Sequence, residues 1–291
     1  MKLTEEIISK IGTLEVGDKY PTRIMGVINL TQDSFYSGSV RLRTDEVKAE
    51  ALRLQEEGAN ILDLGARSTA PYKKLEIPVS VEEKILGETI RALDRIIRIP
   101  ISADTTRLEP TKAAISAGAV VLNNVHGLMG PDSEEISNLV ASKEISLIAT
   151  AHEENYPTVH STPIERVVSA LTKSMEICRK SGIGDEKIII DPGIGFFKDE
   201  HYSNLEWNCN VIANLEILRS FGLPVCVGLS RKKFLGQLLG DKPPEDRLLA
   251  SISASAISVF NGAHIIRTHD VRETKETAVV AKAVREKRFI R

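Results

Sequence analysis

Acidic, amide and basic side chains recur in this chain at one kind of place, the last residues of short apolar runs and the loops that follow. They are Asn29 and Asp33, Asp63 with Arg67 and Thr69, Asp104 with Thr106, Asn123 with Asn124, His152 with Glu153, Asp191, Ser230 with Lys232, and Arg267 with His269. Singly, each has an ordinary use: an aspartate there caps a helix or forms a turn. Together they suggest one site with two halves. Asp104, Asn123 and Asp191 offer acceptors and an amide suited to the N–H and amino groups of a polar heterocycle. Arg67, Lys232, Arg267 and His269 offer the charge that an anionic group, above all a phosphate, requires. Asp191-Pro-Gly-Ile-Gly195 adds two permissive residues where backbone can approach a ligand closely.

Eight apolar runs must position these groups: Ile24–Asn29, Asn60–Leu64, Ile99–Ala103, Val120–Asn123, Ile145–Thr150, Lys187–Asp191, Pro224–Gly228 and Ala263–Arg267. Their Ile, Val and Leu content fits strands buried on both faces. Amphipathic stretches alternate with them. Thr44 reads as a helix N-cap with Gly58 as the stop, and Ser80–Glu83 and Thr162–Glu165 read as capping boxes. Further helices fit 109–117, 132–142, 203–221, 244–261 and 270–287. Strand then helix, eight times at about 36 residues a unit, predicts a single-domain α/β (β/α)8 TIM barrel over 23–291, with 1–22 as a polar N-terminal extension. In that fold the site is built at the C-terminal ends of the strands, where the polar groups lie. An open doubly wound sheet is the alternative, but the turn after the first strand lacks the glycines it usually needs.

The chain has 291 residues and a net charge of −2, which gives no global attraction to nucleic acid or to an anionic membrane. Three cysteines, Cys178, Cys209 and Cys226, are too few and too scattered for a disulfide framework or a metal knuckle. The opening MKLTEEIISK lacks the apolar core of a signal peptide, and no apolar run reaches about 18 residues, so a cytoplasmic location is expected.

Seven motifs, in chain order over about residues 24–271, resemble dihydropteroate synthases. Met25-Gly-Val-Ile-Asn-Leu-Thr-Gln-Asp-Ser-Phe35 is similar to the family's MGxxNxTPDSF, and Asp63-Leu-Gly-Ala-Arg-Ser-Thr-Ala-Pro71 to its DxGxESTRP. Ser102-Ala-Asp-Thr105 resembles SxDT, and Asn123 the first residue of an N-D pair. Asp191–Lys198 resembles DPGxGFGK, Gly228–Gly236 resembles GxSRKxxxG, and Arg267–Val271 resembles RxHDV. The resemblance implies a TIM barrel that joins 6-hydroxymethyl-7,8-dihydropterin pyrophosphate to p-aminobenzoate and releases pyrophosphate in the presence of Mg²⁺. It implies that Asp104, Asn123, Asp191 and Lys232 bind the pterin, with Lys232, Asp104 and Asp191 catalytic. Asn29 would ligate Mg²⁺ and, with Arg267 and His269, serve the pyrophosphate; the reading of the residues themselves adds Arg67 to that group. Thr69, Phe196, Lys198 and Ser230 would shape the arylamine pocket. Asp33, Ser34 and Phe35 would form a lid. A homodimer is expected because barrels often bury helix faces in dimers; the small-residue run Ala250–Ala256 suits close packing there, although packing within the barrel is its more ordinary use.

The chain departs from the pattern in places. Arg67 stands where the family has Glu and Ala70 where it has Arg, so Arg67 is a candidate substitute cation. Gln32 replaces a proline, Asn124 the aspartate of the N-D pair, and Phe197 a loop glycine; Ala149–Glu153 replaces a Met-His-Met type of strand end. These departures cluster on the arylamine and loop side. They leave three alternatives: the same condensation with a substituted arylamine, as in a methanopterin-type pathway; a methyltetrahydrofolate:corrinoid methyltransferase-like enzyme; and a non-catalytic pterin-binding homologue. The cation set argues against the methyltransferase.

Overall fold

The computed structural model describes residues 6–30, 40–67, 77–152 and 162–288, the side chains of 40–43 and 288 aside. Asp33, Ser34, Phe35 and Thr69 lie outside the described residues.

The eight expected runs all form strands. They are β3 (Arg23–Asn29), β4 (Ile61–Gly65), β5 (Ile101–Asp104), β6 (Val121–Asn124), β7 (Ser146–Thr150), β8 (Ile188–Asp191), β9 (Cys226–Gly228) and β10 (Ile265–Thr268). They pair in parallel in the order β8-β7-β6-β5-β4-β3-β10-β9, and a parallel bridge between Ile190 and Val225 joins the two ends. The sheet is therefore a closed eight-stranded barrel with no free edge. Its helices are α1 (Val40–Glu57), α2 (Val79–Leu93), α3 (Leu108–Ala117), α4 (Ser133–Lys143), α5 (Pro163–Lys180), α6 (Asn204–Ala213), α7 (Lys233–Leu238), α8 (Leu248–Phe260) and α9 (Val271–Arg288).

Side chains alternate between the barrel axis and the helix layer because the pleat has a period of two. Leu62, Leu64, Leu122, Leu147, Ile188, Ile190, Val227 and Ile266 join the outer core beneath the helices. Met25, Ile61, Val121, Ile148, Ile189, Cys226 and Ile265 form an inner apolar layer. Two residues further along, on the same side of the pleat, that layer becomes polar: Ile61 is followed by Asp63, Val121 by Asn123, Ile189 by Asp191 and Ile265 by Arg267.

Residues 1–22, expected as a polar extension, contain an antiparallel hairpin, β1 (Ile8–Ile11) and β2 (Leu14–Gly17). Ile11 and Val16 are fully buried in the inner layer and plug the barrel on the side away from the polar groups. Two strands of four residues, only the first alternating exposed and buried, carry little apolar signal, so the sequence pattern alone did not reveal them.

Some helices start at their local capping signals and others do not. Glu165 accepts from the Thr162 amide at 2.8 Å and its hydroxyl at 2.9 Å, as a capping box should. Thr44, by contrast, lies inside α1, which is already helical at Val40. Ser80 is not a cap either. Pro78, with its φ held at −55°, starts α2 earlier, its carbonyl accepting from Val81 and Glu82. The expected helix 203–221 breaks at Asn214, whose side chain takes the Asn210 carbonyl at 2.8 Å, and continues as a 3-10 turn over Leu215–Phe221. The expected helix 244–261 likewise opens with a 3-10 turn, Pro244–Arg247. α7 was not anticipated; six residues are too few to show a period.

Candidate active site

The polar layer converges at the C-terminal mouth of the barrel. Arg267, from β10, reaches across it: Nε donates to Asp63 Oδ2 at 2.7 Å and Nη2 to Asp104 Oδ2 at 2.9 Å. Asn123 Nδ2 donates to the same Asp63 oxygen at 3.1 Å. One guanidinium and one amide thus tie together β10, β4, β5 and β6. Asp63 and Asp104 are both buried, and the second oxygen of each, Oδ1, has no hydrogen-bond partner. Ser102 Oγ, on the same side of β5 as Asp104, is a third orphaned atom. A buried carboxylate oxygen without a donor is costly in the folded protein, so this layer has acceptor capacity that a bound water or the donors of a ligand would fill.

Electrostatics agree. Burial pushes the Asp104 carboxyl up to about 7; Arg267 opposes this, and the neighbouring Asp63 adds to it. Burial also raises Asp191, against the pull of Lys232 and of the Gly193 N–H, which donates to Asp191 Oδ1 at 2.7 Å. Lys232 is lowered to about 8 by burial, with Asp191 opposing and Arg267 assisting. Its ammonium donates to the Ile194 carbonyl and lies 5.1 Å from the Phe196 ring centroid.

Asp191 and Lys232 meet through the β8–α6 loop. Gly193 and Gly195 both have positive φ, 70° and 84°. A Cβ on Gly193 would sit 2.4 Å from the Ala151 carbonyl, so that glycine answers close packing against the neighbouring loop. Lys198 lies on this loop, exposed.

The pyrophosphate candidates lie on β3 and β10. Asn29 Nδ2 is 3.2 Å from His269 Nε2, and His269 Nδ1 is 3.0 Å from Ser230 Oγ. With the amide as donor, His269 is the neutral Nδ1–H tautomer and its proton goes to Ser230. Burial and then Arg267 lower its pKa, in keeping with that form. Ser230, expected beside the arylamine, therefore orients His269.

Arg67 turns the other way. Its Nη2 donates to Thr106 Oγ1 at 2.8 Å and its Nε lies 3.8 Å from Glu82 Oε2. Glu82 is fully buried, accepts from Thr105 at 2.6 Å and pairs with Arg107 at 3.0 Å. Arg67 is thus held on the β5 side of β4, whereas Asn29 and His269 stand on β3 and β10. It still depresses Asp104 through space. Asn124 does not face the axis: its Oδ1 accepts from the His126 and Leu128 amides and orders the turn after β6. The missing second carboxylate of the N-D pair therefore costs the polar layer nothing.

Sequence reading assigned no role to Asp63 or Glu82. The i+2 spacing of Asp63 from Ile61 was the available signal for the first. Glu82 had none, because it reads as an ordinary first-turn acid on a helix. Among the described residues no cluster of three His, Cys, Asp or Glu could hold a metal ion by itself. Asn29, at the exposed end of β3, presents its amide oxygen away from His269.

A family model described as "Pterin binding enzyme" matches residues 25–269. The chain is 34% identical over 269 residues to the dihydropteroate synthase of Escherichia coli (strain K12), covering 89% of this chain and 90% of that one. It is similar to the solved structure of Xanthomonas albilineans dihydropteroate synthase with 4-aminobenzoic acid, with TM-score 0.84, 30% identity, and coverage of 98% of this chain and 100% of that one. The complex of the same enzyme with 7,8-dihydropteroate gives TM-score 0.80 at 29% identity, covering 98% and 100%.

Proposed function

The chain belongs to the pterin-binding enzymes, in the dihydropteroate synthase family, and on that premise we propose that its barrel mouth condenses 6-hydroxymethyl-7,8-dihydropterin pyrophosphate with p-aminobenzoate. The observation that carries the reading is the pair of orphaned oxygens on Asp63 and Asp104 beside a shared Arg267. The amino group and ring N–H of a pterin are donors of the kind those oxygens lack. Asn123 and Asp191 extend the same acceptor layer, and the Lys232 ammonium supplies the donor for the ring carbonyl or a ring nitrogen.

In the reaction the C–O bond to pyrophosphate breaks, a C–N bond to the arylamine forms, and the amine nitrogen loses a proton. Charge separates within one cavity, so catalysis is chiefly electrostatic. In this reading Arg267 and His269 serve the departing anion, and the buried carboxylates the electron-poor ring. No protein nucleophile is needed. Mg²⁺ fits Asn29: an amide oxygen is a suitable hard ligand, and pyrophosphate and water would complete the shell. When bound, the ion would neutralise part of the leaving group's charge. Phe196 and Lys198, with Thr69, make up the remaining arylamine assignments and residues 33–35 the lid, while Ser230 acts through His269. The reading also places the protein in the cytoplasm; among the described residues no helix is long and apolar enough to cross a membrane.

The homodimer is assigned to the α8–α9 face. Leu249, Ile257, Val279, Val280 and Val284 are all more than half exposed there, around a shallow groove of about 380 Å³ lined by Ala256, Glu276, Thr277, Val280 and Ala281. Such a patch on a monomer is a typical association surface. Sedimentation of the unaltered protein against Val280→Glu tests it; a monomer in both overturns it.

Pyrophosphate release with the pterin pyrophosphate and p-aminobenzoate tests the main reading. Release that depends on the aminobenzoate supports it. Pterin binding without release, followed by release with a ribosylated arylamine, selects the substituted-arylamine reaction instead.

A further inference from the structure

The β8–α6 loop, residues 192–203, is pinned from outside the mouth by groups that the condensation does not use. Phe197 is buried and stacks on Trp207 of α6, with ring centroids 4.8 Å apart and planes 19° apart. The Arg166 guanidinium, from α5, lies 4.6 Å from the Trp207 ring centroid and pairs with Asp199 of the loop, both side chains almost wholly buried. Asp199 Oδ1 in turn accepts from the His201 and Tyr202 amides at 2.6 and 2.8 Å. Next to Trp207, Asn208 is fully buried and its Oδ1 accepts from the Gly195 amide at 2.7 Å. Phe196, between these anchors, is the residue that faces the Lys232 ammonium.

The sequence shows why the stack is there. Phe197 stands where the resembling motif has glycine, and two permissive glycines, Gly193 and Gly195, precede it. A third would leave the segment free to move, and ordering it on binding would cost affinity. An aromatic side chain buries on the order of 150–250 Å² and stacks with defined geometry, which removes that freedom before the ligand arrives.

We propose that Trp207 is a positioning residue for the arylamine: through Phe197 it holds the β8–α6 loop so that Phe196 forms a fixed wall of the arylamine subsite beside Lys232. The proposal rests on the reading of the mouth as a site for an arylamine. It assigns Trp207 and Arg166 no contact with either substrate. Loosening the stack weakens arylamine binding and leaves Asp63, Asp104, Asn123 and Arg267, on β4, β5, β6 and β10, as they were; it touches the pterin side only through Lys232, whose ammonium donates to the Ile194 carbonyl of this loop.

Steady-state kinetics of Trp207→Leu and Phe197→Gly test this. The KM for p-aminobenzoate rises by about tenfold in each, the KM for the pterin pyrophosphate stays within about twofold, and Trp207→Phe, which keeps a stacking ring, restores the first. Because a core variant can fail to fold, a second measurement uses the unaltered sequence. Trp207 is the sole tryptophan, so 5-fluorotryptophan labelling gives one fluorine resonance, which shifts when p-aminobenzoate is added to protein holding pyrophosphate and Mg²⁺. An unmoved resonance, or equal rises in both KM values, overturns the proposal. Unaltered protein that releases no pyrophosphate with p-aminobenzoate overturns the parent reading and this role with it. Release with unchanged KM values in both variants overturns the clamp alone.

Discussion

Asp104→Asn separates the stability of the barrel mouth from its use. Asp104 is buried beside Asp63, and burial raises its carboxyl from 3.8 to about 7. Between those values the folded state binds a proton that the unfolded state does not. Stability therefore falls as the pH rises through this window and is lowest, for this group, above pH 7. At 1.36 kcal/mol per pH unit, keeping the carboxylate ionised at pH 8 costs the folded protein about 4 kcal/mol. The variant removes that cost, which is already net of the attraction to Arg267, and sets against it a buried amide N–H group without a protein acceptor, about 1–3 kcal/mol. The net gain at pH 8 is about 1–3 kcal/mol, which for a chain of this size raises Tm by about 2–6 °C. At pH 5 the native carboxyl is already protonated, and the gain disappears. Pterin affinity moves the other way. Replacing a carboxylate that accepts from ring donors by an amide loses about 3 kcal/mol, roughly a hundredfold in Kd. Thermal unfolding at pH 5 and pH 8, with calorimetric titration of 6-hydroxymethylpterin, measures both. A variant destabilised equally at the two pH values, with unchanged pterin affinity, would refute the reasoning.

Three further outcomes are expected. The profile of kcat/KM for the pterin pyrophosphate is bell-shaped, rising near pH 7 as Asp104 ionises and falling near pH 8 as Lys232 loses its proton; a profile flat from pH 6 to 9 contradicts the assignment. Arg67→Ala moves the acidic limb to higher pH, because Arg67 helps keep Asp104 ionised; an unmoved limb shows that Arg67 does not act there. Ile11→Ala opens the hairpin plug and lowers stability by about 2–5 kcal/mol, measured by denaturant unfolding, with turnover below the melting temperature retained; loss of turnover at full stability would show that the plug reaches the mouth.

All eight barrel strands were legible because a parallel strand covered by helices on one side and filled on the other must be apolar in both directions. The polar residues at their ends were legible because that apolar run stops where the mouth begins. Local chemistry can mislead about where a helix starts. Ser80 and Glu83 have the right spacing for a cap, but Pro78 begins the turn first, and the acid that matters is Glu82, taken inward by Thr105 and Arg107. Asn123 and Asn124 are adjacent and alike in sequence. The pleat turns one to Asp63 and the other to the backbone of the following loop.

The sequence by itself determined the barrel, the family and the roster of side chains around its mouth, since periodicity and motif order are properties of the chain alone. Only the tertiary structure decided the pairing of those side chains. Arg267 binds Asp63 and Asp104 across four strands, Arg67 turns to Glu82 instead of joining His269, and Trp207 reaches the loop through Phe197. The two Arg267 contacts span 204 and 163 residues, and the shorter contacts of Arg67 and Trp207 still join different elements. A buried charge is satisfied by whichever partner the closed barrel brings within reach, and sequence spacing carries no record of that distance.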